Sequence, residues 1–354
     1  MEKFKPKKYR KIFQYKIKKK KNTCLYYFSI SFIIIIIFTI FTIFTCMKFW
    51  KKNSRIQTNE NNIPNIYFDQ FETNIYNDIK QKFLDSGCAT MMWRNQREFL
   101  NGVVRKFRPK KLLEIGVRFG GSSILILNAI RDIQDAHLYS IDIDGNGYIG
   151  KCVHNHFPEL GKKWTLYKGS VAANYMEEIG NEIDLAFIDT SHFEPGEILD
   201  LLQILPFLKD GAVVLFHDIS HQISHSGEKG TRQEWAPYII FNILRGQKFY
   251  PSGNRFFAHD IGAVLLEKNQ KRYVHDYFRA LGGQWSYYPK SKHIELIRQL
   301  FRKYYDDLCL KMFEEIISFE KDFVENNPIP NYYMDAYPRI KPRLKRTVYN
   351  DTWI

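Results

Sequence analysis

Between residues 111 and 268 the chain repeats one pattern. A short, almost wholly apolar run ends on a polar residue, and a segment with helical spacing follows. The runs are KLLEIGV (111–117), HLYSIDI (137–143), WTLYKGS (164–170), IDLAFID (183–189), GAVVLFHDI (211–219) and IGAVLLEK (261–268). Runs without polar alternation are those of strands covered on both faces, which is the state of a parallel sheet packed between helices. SSILILNAIRDI and PGEILDLLQILPFL (195–208) supply helices between strands, and WRNQREFLNGVVRKF (93–107) precedes the first strand. The order predicts an α/β, doubly wound, mostly parallel sheet. Residues 290–325 read as a helical extension suited to capping the domain or to a homo-oligomer contact.

Charge is distributed unevenly. The 354 residues carry 52 Lys/Arg and 38 Asp/Glu, a net of +14. Residues 1–55 hold 15 of the bases and one acid, Glu2, whereas residues 56–354 hold 37 of each sign. The folded part is therefore neutral, which argues against nucleic acid as a partner. Leu25–Met47 is 23 residues without a charge, long enough for a hydrocarbon core of about 30 Å. Tyr26, Tyr27 and Trp50 flank it, and the basic excess precedes it. This predicts a single-pass, membrane-anchored protein with a cytoplasmic N-terminus. The expected division is a basic tail (1–24), a transmembrane helix (25–47), a stalk (48–87), a Rossmann-like domain (88–270) and a helical extension with a basic tail (271–354). The five cysteines, Cys24, Cys46, Cys88, Cys152 and Cys309, form no CxxC and suggest neither a disulfide framework nor a zinc site.

Chemistry concentrates where strands end. In LEIGVRFGGSS, Gly116 permits a tight turn, Gly120 and Gly121 let a ligand approach the backbone, and the helix beginning near Ser122 offers free N–H groups. Glu114 is read as an acid pointing into the crevice. Asp142 ends the second run, where a doubly wound fold meets ribose hydroxyls, with Asp144 as its rival. Gly169 and Ser170 end the third run, where an adenine would lie.

The pattern E-x-G-x-x-x-G, followed by these acids, resembles motif I of class I S-adenosylmethionine-dependent methyltransferases. VVRKFRPKKLLEIGVRFGGSS and FIDTSHFEPGEILDLLQILPFLKDGAVVLFHDI narrow the resemblance. They are similar to catechol O-methyltransferase-like enzymes, including the cephalosporin-hydroxylase-like and sugar or macrolide O-methyltransferase branch. The resemblance covers about residues 88–268 and implies a seven-stranded sheet. It carries Glu114, Gly116, Arg118, Gly120, Ser122, Asp142, Gly169 and Ser170 to S-adenosylmethionine. It carries Asp189, His217 and Asp218 to a divalent metal such as magnesium, although an imidazole at position 217 suits a softer ion or none. His192, three residues after Asp189, takes the place of the general base.

The implied function is methyl transfer to a hydroxyl-bearing acceptor, with a sugar, glycan or glycolipid as its class. A non-catalytic module of the same fold and a metal-dependent oxygenase remain as alternatives. His217, His221 and His225, four residues apart, could form a trihistidine site; a mobile acceptor loop is the favoured reading.

Overall fold

The computed structural model describes residues 67–68, 73–88, 90, 92–220, 235–251, 260–283 and 285–326. The strands are β1 (Lys111–Ile115), β2 (His137–Asp142), β3 (Trp164–Lys168), β4 (Ile183–Ile188), β5 (Leu208–His217), β6 (Gly246–Pro251) and β7 (Ile261–Leu266). Their order across the sheet is β6-β7-β5-β4-β1-β2-β3, and a two-residue strand, Tyr67–Phe68, pairs with the outer edge of β6. All neighbours are parallel except β7, which runs antiparallel to both β5 and β6. β6, which lacks a continuous apolar run, is the strand that the sequence did not announce.

Both faces of the sheet are buried. Along β4, Leu185 and Phe187 join one core cluster, while Ala186 and Ile188 join the other. On β5, Val213 and Leu215 face the first cluster, and Val214 and Phe216 the second. The period of two is that of a pleated strand, and a helical layer on each side makes both phases apolar. Helices α1 (Thr73–Asp85), α2 (Arg94–Phe107), α3 (Gly121–Ala129) and α4 (Lys151–His156) contribute to one layer. On the other lie α6 (Gly196–Ile204), α7 (Ala236–Ile243), α8 (Val274–Ala280), α9 (Ser291–Tyr304) and α10 (Asp307–Asn326). The short α5 (Met176–Ile179) lies between β3 and β4. The helical run read over 290–325 is thus two helices, with Phe301, Phe313 and Ile317 packed into the same core as the sheet.

Two expectations are corrected. Among the described residues no helix is long and apolar enough to cross a membrane. The longest, α10, has the length but carries Asp307, Lys311, Glu314, Glu315, Glu320, Lys321, Asp322 and Glu325. The transmembrane helix in the fold class, and the single-pass membrane localisation drawn from it, therefore gain no support, and Leu25–Met47 itself lies outside the described residues. The cysteines give the second correction. Cys88 and Cys152, 64 positions apart, form a disulfide with Cα atoms 5.7 Å apart, a separation suited to the bond. Cys309 is free and buried.

Candidate active site

The turn after β1 is built around a glycine that has no alternative. Gly116 has φ +88, and a Cβ placed there would lie 1.8 Å from the carbonyl oxygen of Asp189. The backbone N–H of Asp189 donates to the Ile115 carbonyl, and that of Gly116 to Ile141. The ends of β1, β2 and β4 are therefore laced together by main chain at the point where the glycine loop begins.

Asp142 shapes that loop. Its Oδ2 accepts the backbone N–H groups of Val117 and Arg118, both at 2.9 Å, and its Oδ1 accepts that of Asp144 at 2.9 Å. A carboxylate offers about four acceptor positions, so roughly one remains for a ligand hydroxyl. Asp144 accepts from the Asn146 N–H and the Tyr148 hydroxyl. Arg118 holds φ +49, and its carbonyl receives the Gly150 N–H at 2.7 Å. Gly120 caps α3 with φ +90 and rests against Gly150. Gly169, at φ +86, donates its N–H to the Asp142 carbonyl and stays exposed beside half-buried Ser170.

Glu114 departs from its expected place. It is wholly buried and does not face the crevice. Its carboxylate accepts the hydroxyls of Ser122, Ser123 and Ser140, each at 2.6 Å. Burial pushes its carboxyl up to about 7, against the pull of the three hydroxyls. Glu114 and Ser122 thus fasten α3 to β1 and β2 from inside.

On the other side of the crevice, Asp189, His192, His217 and Asp218 come together. Nε2 of His192 lies 3.0 Å from Asp218 Oδ2, and Nδ1 of His217 lies 3.1 Å from the same oxygen. Asp189 Oδ1 stands 3.7 Å from His217 Nδ1. His217 Nε2 reaches Gln96 Oε1 at 3.3 Å, and His192 Nδ1 lies 3.3 Å from Glu197 Oε1. Burial alone would lower both imidazoles, but Asp218 leads a group of carboxylates that overcomes it. His192 is raised to about 10, with Glu197 and Asp189 assisting, and His217 is raised well above its ordinary value. The carboxylates around His192 thus favour its protonated form. Burial, then Asp218, also lifts Asp260 to about 6; it accepts the backbone N–H and the hydroxyl of Ser220. His221 and His225 lie outside the described residues.

Metal-ligating atoms do converge here. Those of Asp189, His192 and Asp218 lie within 4.8 Å of one another, as do those of His217, Asp218 and Asp260. Carboxylate and imidazole donors in this spacing could share a divalent ion, and the same atoms also stand against one another directly, ring nitrogen to carboxylate or amide oxygen.

Sequence reasoning missed Gln96, Glu197 and Asp260. Gln96 is 121 positions from His217 and carries no local signal. Glu197, five residues after His192 in the first turn of α6, was discoverable as an acid on the buried side of a short helix.

Part of the chain is similar to known proteins. Residues 113–219 match the family model described as a methyltransferase domain. An uncharacterised Sinorhizobium fredii protein, y4gI, is 22% identical over 185 residues, covering 50% of this chain and 19% of its own length. The chain thus spans about a fifth of that curated relative. Among solved structures, the Bacillus cereus O-methyltransferase in complex with SAH has 14% identity, covering 54% of this chain and 90% of its own, at a TM-score of 0.41. Streptomyces achromogenes TomG in complex with SAM has 16% identity, covering 55% and 91%, at 0.42. Over residues 113–219, then, the chain is similar to a methyltransferase domain.

Proposed function

We propose that the chain moves the methyl group of S-adenosylmethionine to a hydroxyl oxygen of its acceptor. The observation that carries this reading is the contact between Gly116 and the Asp189 carbonyl. It sets the glycine loop, where the cofactor would lie, directly against the residue at the mouth of the charged cluster. A methyl donor on one side and an acceptor oxygen on the other then meet in line, and alignment supplies much of the rate.

The oxygen attacks the methyl carbon as the carbon–sulfur bond breaks, and the hydroxyl proton must leave. Asp189, whose side chain is 26% exposed, takes that proton. His192 and His217, whose protonated forms the surrounding carboxylates favour, stabilise negative charge developing on the oxygen. Asp142 and the main chain of residues 116–120 hold the cofactor. The acceptor class we favour is a hydroxylated sugar, following the branch that the motifs resemble.

The test has two parts. Calorimetry with S-adenosylhomocysteine should give binding to the full chain. Label transfer from methyl-tritiated S-adenosylmethionine should mark sugar acceptors with free hydroxyls, spare their fully O-blocked forms and persist in chelator. Absence of cofactor binding refutes the transferase reading; loss of transfer in chelator refutes the metal-free site.

A further inference from the structure

A buried carboxylate that the proposed chemistry does not use stands directly behind His192. Glu197 lies in the first turn of α6 and is 0% exposed. Its Oε1 accepts the backbone N–H of His192 at 2.7 Å and lies 3.3 Å from Nδ1 of the same residue. That oxygen hydrogen-bonds the main chain and stands at ion-pair distance from the ring, without hydrogen-bond geometry to Nδ1. Its other oxygen, Oε2, has no hydrogen-bond partner among the described residues.

The segment being held needs holding. His192 adopts φ +63, a left-handed conformation that is unfavourable for a non-glycine residue. Several contacts fix the same turn. Thr190 donates its hydroxyl to Asp200 at 2.8 Å, and Ser191 Oγ lies 3.2 Å from the Tyr287 hydroxyl. Gly196 brings the helix so close that a Cβ would sit 2.1 Å from Ser191 Oγ. Glu197 and Asp200, three residues apart on α6, therefore grip His192 and Thr190, on either side of Ser191. Glu197 and Asp218 approach different nitrogens of the His192 ring, Nδ1 and Nε2.

We propose that Glu197 is the positioning residue of this site, fixing the left-handed turn and the ring plane of His192 so that Nε2 is presented to Asp218 and the crevice. This rests on the transferase reading only for what His192 then does. The contact itself is independent of any acceptor.

The experiment uses the full chain with nitrogen-15-labelled histidine, and His192→Asn to assign the resonances. The wild type should show a His192 Nδ1 resonance shifted by the carboxylate beside it. That shift should be lost in Glu197→Ala and altered in Glu197→Gln, which keeps the side chain's size and answers the question if the alanine variant fails to fold. Asp218→Asn should disturb the Nε2 signal instead. S-adenosylhomocysteine affinity should be unchanged in Glu197→Gln. An Nδ1 resonance identical in wild type and Glu197→Gln overturns the proposal. A wild type that shows the resonance but binds no S-adenosylhomocysteine overturns the transferase reading and supports the positioning one.

Discussion

Replacing Glu114 by glutamine tests the buried hydroxyl cage with a sign as well as a size. Burial holds the carboxyl at about 7, against an ordinary value of 4.5, despite the hydroxyls of Ser122, Ser123 and Ser140. A folded value above the unfolded one means that folding favours the protonated form. The stability from this group is thus complete below 4.5 and is lost as pH rises through 7. The interval corresponds to roughly 3 kcal/mol. Glutamine has nearly the same shape and never ionises, so Glu114→Gln lacks that dependence. Urea unfolding of both proteins between about pH 4.5 and pH 8 isolates the effect, because other titrating groups cancel in the difference. The stability of the wild type minus that of the variant should fall by about 3 kcal/mol over this range. A difference that stays flat refutes the reasoning, since it means that the carboxyl ionises alike in the folded and unfolded chains.

Three further outcomes follow. Gly116→Ala forces a Cβ into the Asp189 carbonyl at φ +88; it should cost about 2 kcal/mol or more and weaken S-adenosylhomocysteine binding, and a variant with unchanged melting and affinity counts against the contact. His192→Ala should leave cofactor binding intact while slowing transfer about 100-fold or more. Because His192 is raised to about 10, its charge persists through neutral pH and is lost as pH rises through 10, so wild-type transfer should show an alkaline limb; a limb on the acidic side instead would favour the general-base role. Replacing Cys88 and Cys152 together by serine opens a loop of 64 positions, which should lower unfolding free energy by about 4 kcal/mol; chemical denaturation under non-reducing conditions reads the change.

The sheet was legible because its strands are continuous apolar runs, a signal that needs no partner to be read. β6, with Lys248 and Pro251 in its six residues, shows no such run and is a strand through its pairing with β7. At the site, sequence marked the strand-end residues Asp142, Asp189, His217 and Asp218, since a charge that closes a buried strand has few other reasons to be there. It could not tell which way each side chain turns. Glu114 follows two leucines as Asp189 follows phenylalanine and isoleucine, yet one turns inward to three hydroxyls and the other stays partly open. It also could not assign protonation. The charge of His192 comes from Asp218 and Glu197, and the first of these is 26 positions away.

The contact at Gly116 also limits how such a protein can change. Two loops that carry different tasks share one atomic layer, with no room between them for even a methyl group. On the proposed reading, a substitution that moved the Asp189 carbonyl to reshape the acceptor side would displace the methyl-donor side as well. Gln96 of α2 reaches the cluster from a separate element, at His217. The turn joining β1 and β4 is the part of the site least free to drift.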